Sequence, residues 1–466
     1  MWSILKINKI KLQLILALSF GILIQCTKDP LIFEMPPFKI VTLENGLKLY
    51  LFPDHKLPTL SMSFLFRAGA ALDPHDKKGL AELTAALLTE GTKNKTSLEL
   101  ADEFEVLGAE FEASASNDYT SVGVKALAKD TDSLVQLIGD VFLNATFPDN
   151  ELARRKKEMT AALIQQKDRP EQLADFLYGQ YLYKNHPYSS AKIETINKIE
   201  RKDILEFYSQ YFAPHNAILA VVGDFDSQKL LDTFKKYFSQ WNSKKTNHLE
   251  LTDPPKIEKN EIYVVHKPST TQTQIRIGNI AINRGHKDYY AVVVANHLLG
   301  GSYNSILTQR IRDDLGLTYH IHSSAGLNQY KSAWTVETFT RNEMLNDTLK
   351  EVLNIIKNFD TFATEEELKK IKAQLSGMHI QRLETIESIA SILTIYDFYG
   401  LSLEKDFKKW RRNIENITLS NVKRVIKQYW QEDALLVTIL TDPSVSLDKL
   451  PIQGNVKIIK FEDIEL

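Results

Sequence analysis

"FYSQYFAPHNAILAVVGDFD", residues 207–226, is matched 218 positions later by "VIKQYWQEDALLVTILTDPS", residues 425–444. In both stretches an amphipathic helix ends in Gln-Tyr and an aromatic residue, a short polar turn follows, and an apolar strand leads to an aspartate. Tyr211 precedes Asp224 by thirteen positions in the first copy, and the second copy keeps that spacing. Self-similarity at a fixed offset predicts that the chain contains a duplicated unit.

A second pair of segments supports the duplication and indicates the fold class. Residues 137–163 and 351–375 each place a helix, a phenylalanine, an acidic cap and another helix in the same order. Apolar or alternating runs typical of strands lie around them, at residues 60–70, 111–127 and 271–281. Long helices combined with antiparallel-looking strands predict two α+β halves, each with helices packed on one face of a sheet.

Length and charge limit the organisation and the partners. A chain of 466 residues is expected to contain more than one domain. The predicted divisions are an N-terminal half at residues 37–245, a polar linker at 246–258 with paired prolines, a C-terminal half at 259–446 and a tail at 447–466. Because 57 Lys and Arg are balanced by 59 Asp and Glu, no nucleic-acid partner is indicated.

The N-terminus predicts export. Lys6, Lys9 and Lys11 precede an apolar run from Leu12 to Ile24, which is typical of a secretory signal. Cys26, the only cysteine, stands where a lipoprotein signal covering residues 1–26 is cut, so lipidation at Cys26 and a membrane-anchored periplasmic protein are predicted. The alternatives are a plain cleaved signal or a single N-terminal helix.

Three separated motifs resemble those of a known family. They are GLAELTAALLTEGT at residues 79–92, the segment from NHPYSS to GDFD at residues 185–226, and YYAVVVANHLLGGSYNSILTQRIRDDLGLTYHIHSS at residues 289–324. In type and order they resemble the inverzincin metallopeptidases, which include pitrilysin, insulin-degrading enzyme and the mitochondrial processing peptidase. The resemblance runs from about residue 37 to residue 445. It implies an α+β fold with two homologous α/β sandwich halves of the LuxS and processing-peptidase type, forming one arm of a clamshell.

The family binds zinc through H-x-x-E-H on a helix and a glutamate from a later helix. Two imidazoles and a carboxylate hold the metal, and the glutamate of the motif is the general base for the metal-bound water. Here Glu82, Ala85 and Ala86 take the positions of the motif, and Ala162 takes that of the later glutamate. The resemblance therefore implies no metal site and no cofactor in this chain, with Glu82 a helix-surface residue.

The family's second motif, an arginine and a tyrosine seven residues apart, is present as Arg312 and Tyr319. In relatives the tyrosine hydroxyl donates to the carbonyl oxygen that becomes negative during attack, and the arginine holds substrate carbonyls or a carboxylate. The alternative interpretation is architectural, with Arg312 at a helix end and Tyr319 a half-buried strand aromatic. His320 and His322 alternate along a strand and are expected at a sheet surface rather than as metal ligands.

Three hypotheses follow from a zinc motif that lacks its ligands together with an intact arginine and tyrosine pair. In the first, the chain is the zinc-lacking subunit of a two-component envelope peptidase, supplying Arg312 and Tyr319 in trans to a homologous partner that carries H-x-x-E-H and zinc. In the second, it is an inert scaffold or a peptide-binding envelope protein. The third, a metallopeptidase with an altered site, needs ligands that the sequence does not supply. Residues 110–122 resemble the strand that pairs with substrate by β-augmentation in active relatives, which implies a dock for peptide or unfolded polypeptide; the alternatives are that it pairs with the partner or does neither.

Overall fold

The computed structural model describes residues 37–242 and 250–466. Within them the chain forms two six-stranded sheets. The strands of the first sheet are β1 (Lys39–Thr42), β2 (Lys48–Pro53), β3 (Thr59–Phe66), β4 (Glu110–Ala115), β5 (Thr120–Leu127) and β6 (Ala217–Gly223). Those of the second are β7 (Glu261–His266), β8 (Gln272–Ile280), β9 (Ile321–Ala325), β10 (Ala333–Arg341), β11 (Leu436–Thr441) and β12 (Asn455–Lys460).

Helices connect the strands of each half. In the first half they are α1 (Leu80–Ala86), α2 (Ser97–Val106), α3 (Thr131–Asn144), α4 (Asp149–Asp168), α5 (Pro170–Tyr183), α6 (Ile193–Lys198), α7 (Arg201–Tyr211) and α8 (Ser227–Phe238). In the second half they are α9 (Tyr289–Leu299), α10 (Leu345–Lys357), α11 (Phe359–Phe362), α12 (Glu365–Gln381), α13 (Ile386–Phe398), α14 (Trp410–Glu415) and α15 (Leu419–Tyr429), with π-helical segments at Thr308–Asp314 and Leu403–Lys408.

The order of strands confirms the predicted duplication. The first sheet runs β1-β2-β6-β3-β5-β4 and the second runs β12-β7-β11-β8-β10-β9, so that five strands of each sheet correspond in order and direction. The offset of 218 residues holds between α7, which begins at Arg201, and α15, which begins at Leu419. It is 213 residues between Thr59 of β3 and Gln272 of β8, because the second copy is five residues longer between this strand and the later helix.

The sixth strand differs between the sheets. In the first half β1 precedes β2 and pairs with it antiparallel, whereas in the second half β12 follows β11 and pairs parallel with β7. Residues 447–466, which the sequence suggested to be a tail, therefore contain an edge strand of the second sheet. The second sheet extends past residue 446.

The two repeat copies supply the strands at the centres of the sheets. All residues of β6 and β11 are buried, as expected for continuous apolar runs covered on both faces. Gly223 ends β6 with φ +135°, and a Cβ there would lie 2.2 Å from the carbonyl oxygen of Thr59. Only glycine permits this close approach of β6 to β3.

The prediction of one strand at residues 111–127 is wrong. The segment is a hairpin in which β4 and β5 pair antiparallel and residues 116–119 form the turn. The turn interrupts the alternation because the Ser116 hydroxyl accepts hydrogen bonds from the amides of Asp118 and Tyr119. As a result, β4 is the edge strand, and residues 120–122 lie in an inner strand.

Each sheet is covered on one face by helices of its own half and on the other by a helix of the opposite half. Helix α13 packs on the first sheet, where Leu393 lies in one apolar cluster with Val222. Helix α5 packs on the second sheet, where Leu177 clusters with Leu440. The two halves thus exchange equivalent helices, and burial of apolar surface joins them.

Several sequence predictions fall outside the described residues. The signal at residues 1–26 and the lipidation site Cys26 lie there, as does part of the linker predicted at residues 246–258. No helix in the described part of the chain is long and apolar enough to cross a membrane.

Candidate functional site

Helix α1 carries the positions that correspond to the zinc motif. Its inner face is apolar and buried, and it belongs to the core of the first half through Leu80 and Leu83. On this helix Ala85 is buried, Ala86 is half-buried and Glu82 is exposed, as expected of a helix-surface residue. The protein around Glu82 nevertheless raises the pKa of its carboxyl by desolvation, and no charged partner offsets that effect.

The start of α1 is held by a buried carboxylate. Asp73 accepts hydrogen bonds from the amides of Gly79, Leu80 and Ala81, at 2.8, 3.1 and 2.9 Å. Burial raises the pKa of Asp73 to about 7, against the opposing effect of these amides and of the positive charge of Lys78. Asp73 therefore satisfies the free amides at the start of α1, as a capping side chain does.

Helix α4 packs against α1 and presents Ala162 to solvent. An ion-pair cluster fastens the two elements: Glu90, just after α1, binds Arg155 and also Arg154, the latter at 2.8 Å, and Glu158 binds both arginines. Although burial opposes it, hydrogen bonds from the two arginines hold the pKa of Glu90 below its usual value. The elements that carry a zinc site in the family are thus joined by charge pairs.

The side chains at the motif positions do not fit a zinc ion. Ala85, Ala86 and Ala162 have no donor atom, and Glu82 supplies a single carboxylate where tetrahedral zinc needs three protein ligands. Across residues 37–242 and 250–466, no group of three or more His, Cys, Asp or Glu side chains is arranged to hold a metal ion.

Arg312 lies on the π-helical segment Thr308–Asp314 of the second half. Its guanidinium carbon lies 4.7 Å from the ring centre of Tyr303, and its Nε lies 4.0 Å from Asp313. Gly316, with φ +61°, ends the segment in the left-handed conformation that favours glycine. Arg312 is therefore near a helix end, but it is half-buried and its guanidinium lies over the ring of Tyr303.

Tyr319 lies between this segment and β9, and its side chain is 85% exposed. The architectural interpretation, which predicted a half-buried strand aromatic, is therefore wrong for this residue. The backbone around it is fixed: the hydroxyl of the buried Thr318 accepts from the amide of His320 at 3.1 Å, and Thr340 donates to the carbonyl of Leu317 at 2.7 Å. A hydrogen-bonded backbone thus presents a ring that the described part of the chain leaves largely uncovered.

His320 and His322 lie at the surface of the second sheet, as expected. Their ring centres are 6.5 Å apart, and His320 lies 3.9 Å from Glu337 of β10, which is paired with His322 across the strands. Two imidazoles and one carboxylate border the segment that carries Tyr319.

The outer edge of β4 is unpaired within the described part of the chain. Helix α1 packs directly beside this strand. The structure thus brings together the degenerate motif, Ala162 and the predicted peptide-docking edge in the first half, whereas Arg312 and Tyr319 lie in the second half.

Sequence patterns did not reveal two parts of this region. The Glu90 cluster joins residues more than 60 positions apart, and Asp118, described below, joins segments from both halves. The only signal in the sequence was a charged residue at each position, and surface residues give the same signal.

The family description "Insulinase (Peptidase family M16)" matches residues 53–195, and "Peptidase M16 inactive domain" matches residues 198–375. These two ranges cover the motif helix in the first half and the Arg312 and Tyr319 segment in the second.

Individual relatives match over most of their length. "Zinc protease PqqE" of Helicobacter pylori is 25% identical over 88% of this chain and 94% of its own, and "Non-peptidase homolog YmxG" of the same organism is 25% identical over 84% and 90%. A crystal structure of a peptidase M16 inactive domain from Pseudomonas fluorescens superposes with a TM-score of 0.81 at 26% identity, covering 88% of this chain and all of the other.

Proposed function

This chain belongs to the insulinase family of peptidases, family M16, and we propose that within it the chain is the zinc-lacking subunit of a two-component peptidase. Its partner is a homologous chain with an intact H-x-x-E-H motif and bound zinc. The substrate is a peptide or an unfolded polypeptide. The isolated chain is inactive, because the general base and the zinc ligands have been replaced by Glu82 and alanines.

The observation that carries the proposal is the exposed Tyr319 ring on a fixed backbone. An aromatic ring that the described part of its own chain leaves 85% exposed is available to act on a molecule outside it. In the assembled enzyme the Tyr319 hydroxyl donates to the carbonyl oxygen of the scissile peptide bond as it becomes negative. Arg312, stacked on Tyr303, holds a neighbouring substrate carbonyl or carboxylate.

The relatives support a pairing of unlike chains. Helicobacter pylori has one relative named a zinc protease and another named a non-peptidase homolog, and both align with this chain over more than 80% of its length. One organism therefore holds both kinds of chain on this fold. The emptied motif here matches the second kind.

The test is reconstitution. The purified chain is mixed with a homologue from the same genome that carries H-x-x-E-H, and cleavage of a fluorogenic peptide is measured for each chain alone and for the mixture. Activity should appear in the mixture, with zinc only in the partner. Tyr319→Phe should lower kcat/KM about 100-fold or more, the usual effect of removing one donor to an oxyanion. Tyr237→Phe, on helix α8 of the first half, is the control: it removes hydrogen bonds to Asp132 and Gln136 but should leave kcat/KM of the mixture unchanged.

A second candidate function is peptide binding without catalysis, which the unpaired edge of β4 favours. An extended peptide can add a strand to such an edge through main-chain hydrogen bonds. Under this alternative the isolated chain binds unfolded polypeptide, no homologue becomes active on mixing, and Tyr319→Phe has no effect on any measured property. Equal activity of wild type and Tyr319→Phe in the mixture would exclude the proposed role of the tyrosine.

We also propose that the chain works in the bacterial envelope, exported by residues 1–26 and attached to a membrane through a lipid on Cys26. Mass spectrometry of the mature N-terminus tests this directly. A diacylglycerol-modified Cys26 is expected, and Cys26→Ser should release the protein from the membrane fraction. Membrane association that survives Cys26→Ser would contradict the anchor.

A further inference from the structure

The two equivalent edge hairpins of the chain meet at their turns. In the first half, residues 116–119 join the edge strand β4 to β5, and in the second half, residues 326–332 join the edge strand β9 to β10. The carboxylate of Asp118 in the first turn accepts a hydrogen bond from the amide of Gln329 in the second, at 2.7 Å. The duplication therefore places two corresponding turns against each other at the junction of the halves.

Asp118 collects donors from several segments. Besides Gln329, its carboxylate accepts from the hydroxyl of Tyr188, which lies between α5 and α6, and from that of Tyr399, which follows α13, at 3.2 Å. The Tyr188 oxygen in turn accepts from the amide of Tyr330 at 3.2 Å. Asp118 is 9% exposed, and burial raises the pKa of its carboxyl against the effect of these hydrogen bonds. A buried carboxylate in this setting is costly to deprive of its partners.

Neighbouring contacts fix the first turn from the other side. A Cβ at Gly69 would lie 2.3 Å from the carbonyl oxygen of Asn117, so that the loop after β3 lies directly against the turn. Arg67, in the same loop, donates to the carbonyl of Phe398 at the end of α13, at 2.8 Å, and lies over its ring. The turn that contains Asp118 is thus held between its own sheet and the second half.

We propose that Asp118 is a positioning residue that couples the two edge hairpins, so that β4 and the segment carrying Tyr319 move as one rigid unit. Only a few residues separate Asp118 from β4 and Gln329 from the segment that carries Tyr319. Asp118 lies three residues beyond the end of β4, and Gln329 lies in the turn directly after β9, which begins two residues after Tyr319. The link to peptide handling rests on the proposed function, whereas the coupling of the hairpins does not.

A contact that couples the two hairpins, called a latch below, has a different effect from a contact that only adds to the global stability of the protein. A general stabilising contact changes the opening of the whole protein, whereas a latch changes the local opening of two hairpins that share no strand. Hydrogen exchange measured by mass spectrometry separates the two cases, because it follows the amides of each hairpin and of each sheet centre in one experiment.

The variant is Asp118→Asn in the full-length chain, which keeps the shape but turns an acceptor oxygen into an NH₂ group that faces donors. Exchange should become about tenfold faster both at residues 110–119 and at residues 317–332, with the central strands β6 and β11 unchanged. The matched control is Asp140→Asn. Asp140 also accepts three hydrogen bonds, here from the side chains of Thr92, Asn94 and Asn144, all within the first half. This control should leave residues 317–332 unchanged.

Tyr188→Phe is the second variant, for use where Asp118→Asn does not fold, and it should accelerate the same two segments by a smaller factor. Faster exchange at residues 110–119 alone, in either variant, overturns the coupling, as does a uniform increase over both sheets. Titration with fluorescein-labelled β-casein then tests the positioning role: Asp118→Asn should bind at least several-fold more weakly than Asp140→Asn. Equal binding by the two overturns the positioning role. Absence of casein binding and of activity in the wild-type mixture counts against the proposed function, while the exchange data still decide the coupling.

Discussion

The two halves of this chain have the same strand order but carry opposite kinds of site. In the first half the motif helix α1 has a complete apolar core face and lacks the side chains for metal chemistry, with alanines at positions 85 and 86. In the second half the segment just before β9 displays Tyr319 at 85% exposure on a hydrogen-bonded backbone. The fold therefore does not depend on the site. Burial of its apolar face holds α1 in place, so the residues at the zinc-motif positions can be replaced without loss of the fold.

The way α1 is anchored explains this tolerance. Leu80, Leu83, Leu87 and Leu88 are all buried, and Asp73 caps the helix start. The Glu90 ion pairs with Arg154 and Arg155 fasten α4 alongside. None of these contacts involves positions 82, 85, 86 or 162, so their replacement costs the fold little.

The largest effect is expected from restoring the motif. A variant with Glu82→His, Ala85→Glu, Ala86→His and Ala162→Glu should bind about one zinc per chain, with a binding free energy on the order of 10 kcal/mol at neutral pH. Metal analysis after gel filtration measures the stoichiometry. A variant without Ala162→Glu lacks one ligand and should bind more weakly. If the complete variant retains no zinc, then α1 and α4 differ from a metal-binding arrangement in their backbones as well as in their side chains.

The exchange of helices between the halves predicts an effect across the junction. Leu393 of α13 is fully buried against the first sheet, and Leu393→Ala should lower the free energy of unfolding by about 2 to 5 kcal/mol. Urea unfolding followed by tryptophan fluorescence measures the loss. Leu98→Ala removes the same atoms from a side chain that is 70% exposed and serves as the control. Equal effects of the two substitutions would mean that α13 does not hold the first sheet.

The second half also contains an acid-sensitive position. Burial lowers the pKa of His379 to about 4, and its ring stacks on Trp410 with one ring nitrogen near the carbonyl of Phe407. The unfolded chain binds a proton at this residue near pH 6.5 and the folded chain does not, so stability is complete above pH 6.5 and is lost as the pH falls toward 4. The loss should reach about 3 kcal/mol.

His379→Gln retains a donor for the Phe407 carbonyl but does not titrate between these pH values. Urea midpoints measured at pH 7 and pH 4.5 should therefore differ less for the variant than for the wild type. An identical pH dependence in both proteins would assign the acid sensitivity to other groups, such as carboxylates in ion pairs.

The smallest effect concerns the start of helix α15. The Thr418 hydroxyl accepts from the amide of Asn421 at 3.2 Å, and the Asn421 side chain accepts from the Thr418 amide, which together form a capping box. Thr418→Ala should cost about 1 kcal/mol in thermal unfolding, whereas Thr418→Ser, which keeps the oxygen, should cost much less. A cost of the same size for both would exclude the hydroxyl as the cause.

Sequence periodicity predicted the duplicated α+β halves and the buried central strands, because an apolar run between turn residues has few alternatives. It failed at residues 111–127, where a four-residue turn divides two strands of similar pattern. It also gave no sign that residues 447–466 supply β12, since an edge strand with mostly exposed residues has a weak apolar pattern.

At the candidate site, the sequence alone showed which metal-ligand atoms are missing. An alanine at position 85, 86 or 162 cannot bind a metal in any conformation, so the loss of the zinc site is determined by residue identity alone. The tertiary structure decided what surrounds those positions: the exposure of Tyr319, the stacking of Arg312 on Tyr303 and the meeting of the two hairpin turns at Asp118. These features depend on contacts between segments as many as 211 residues apart. Such contacts result from the summed packing of whole elements, and no local pattern of residues encodes them.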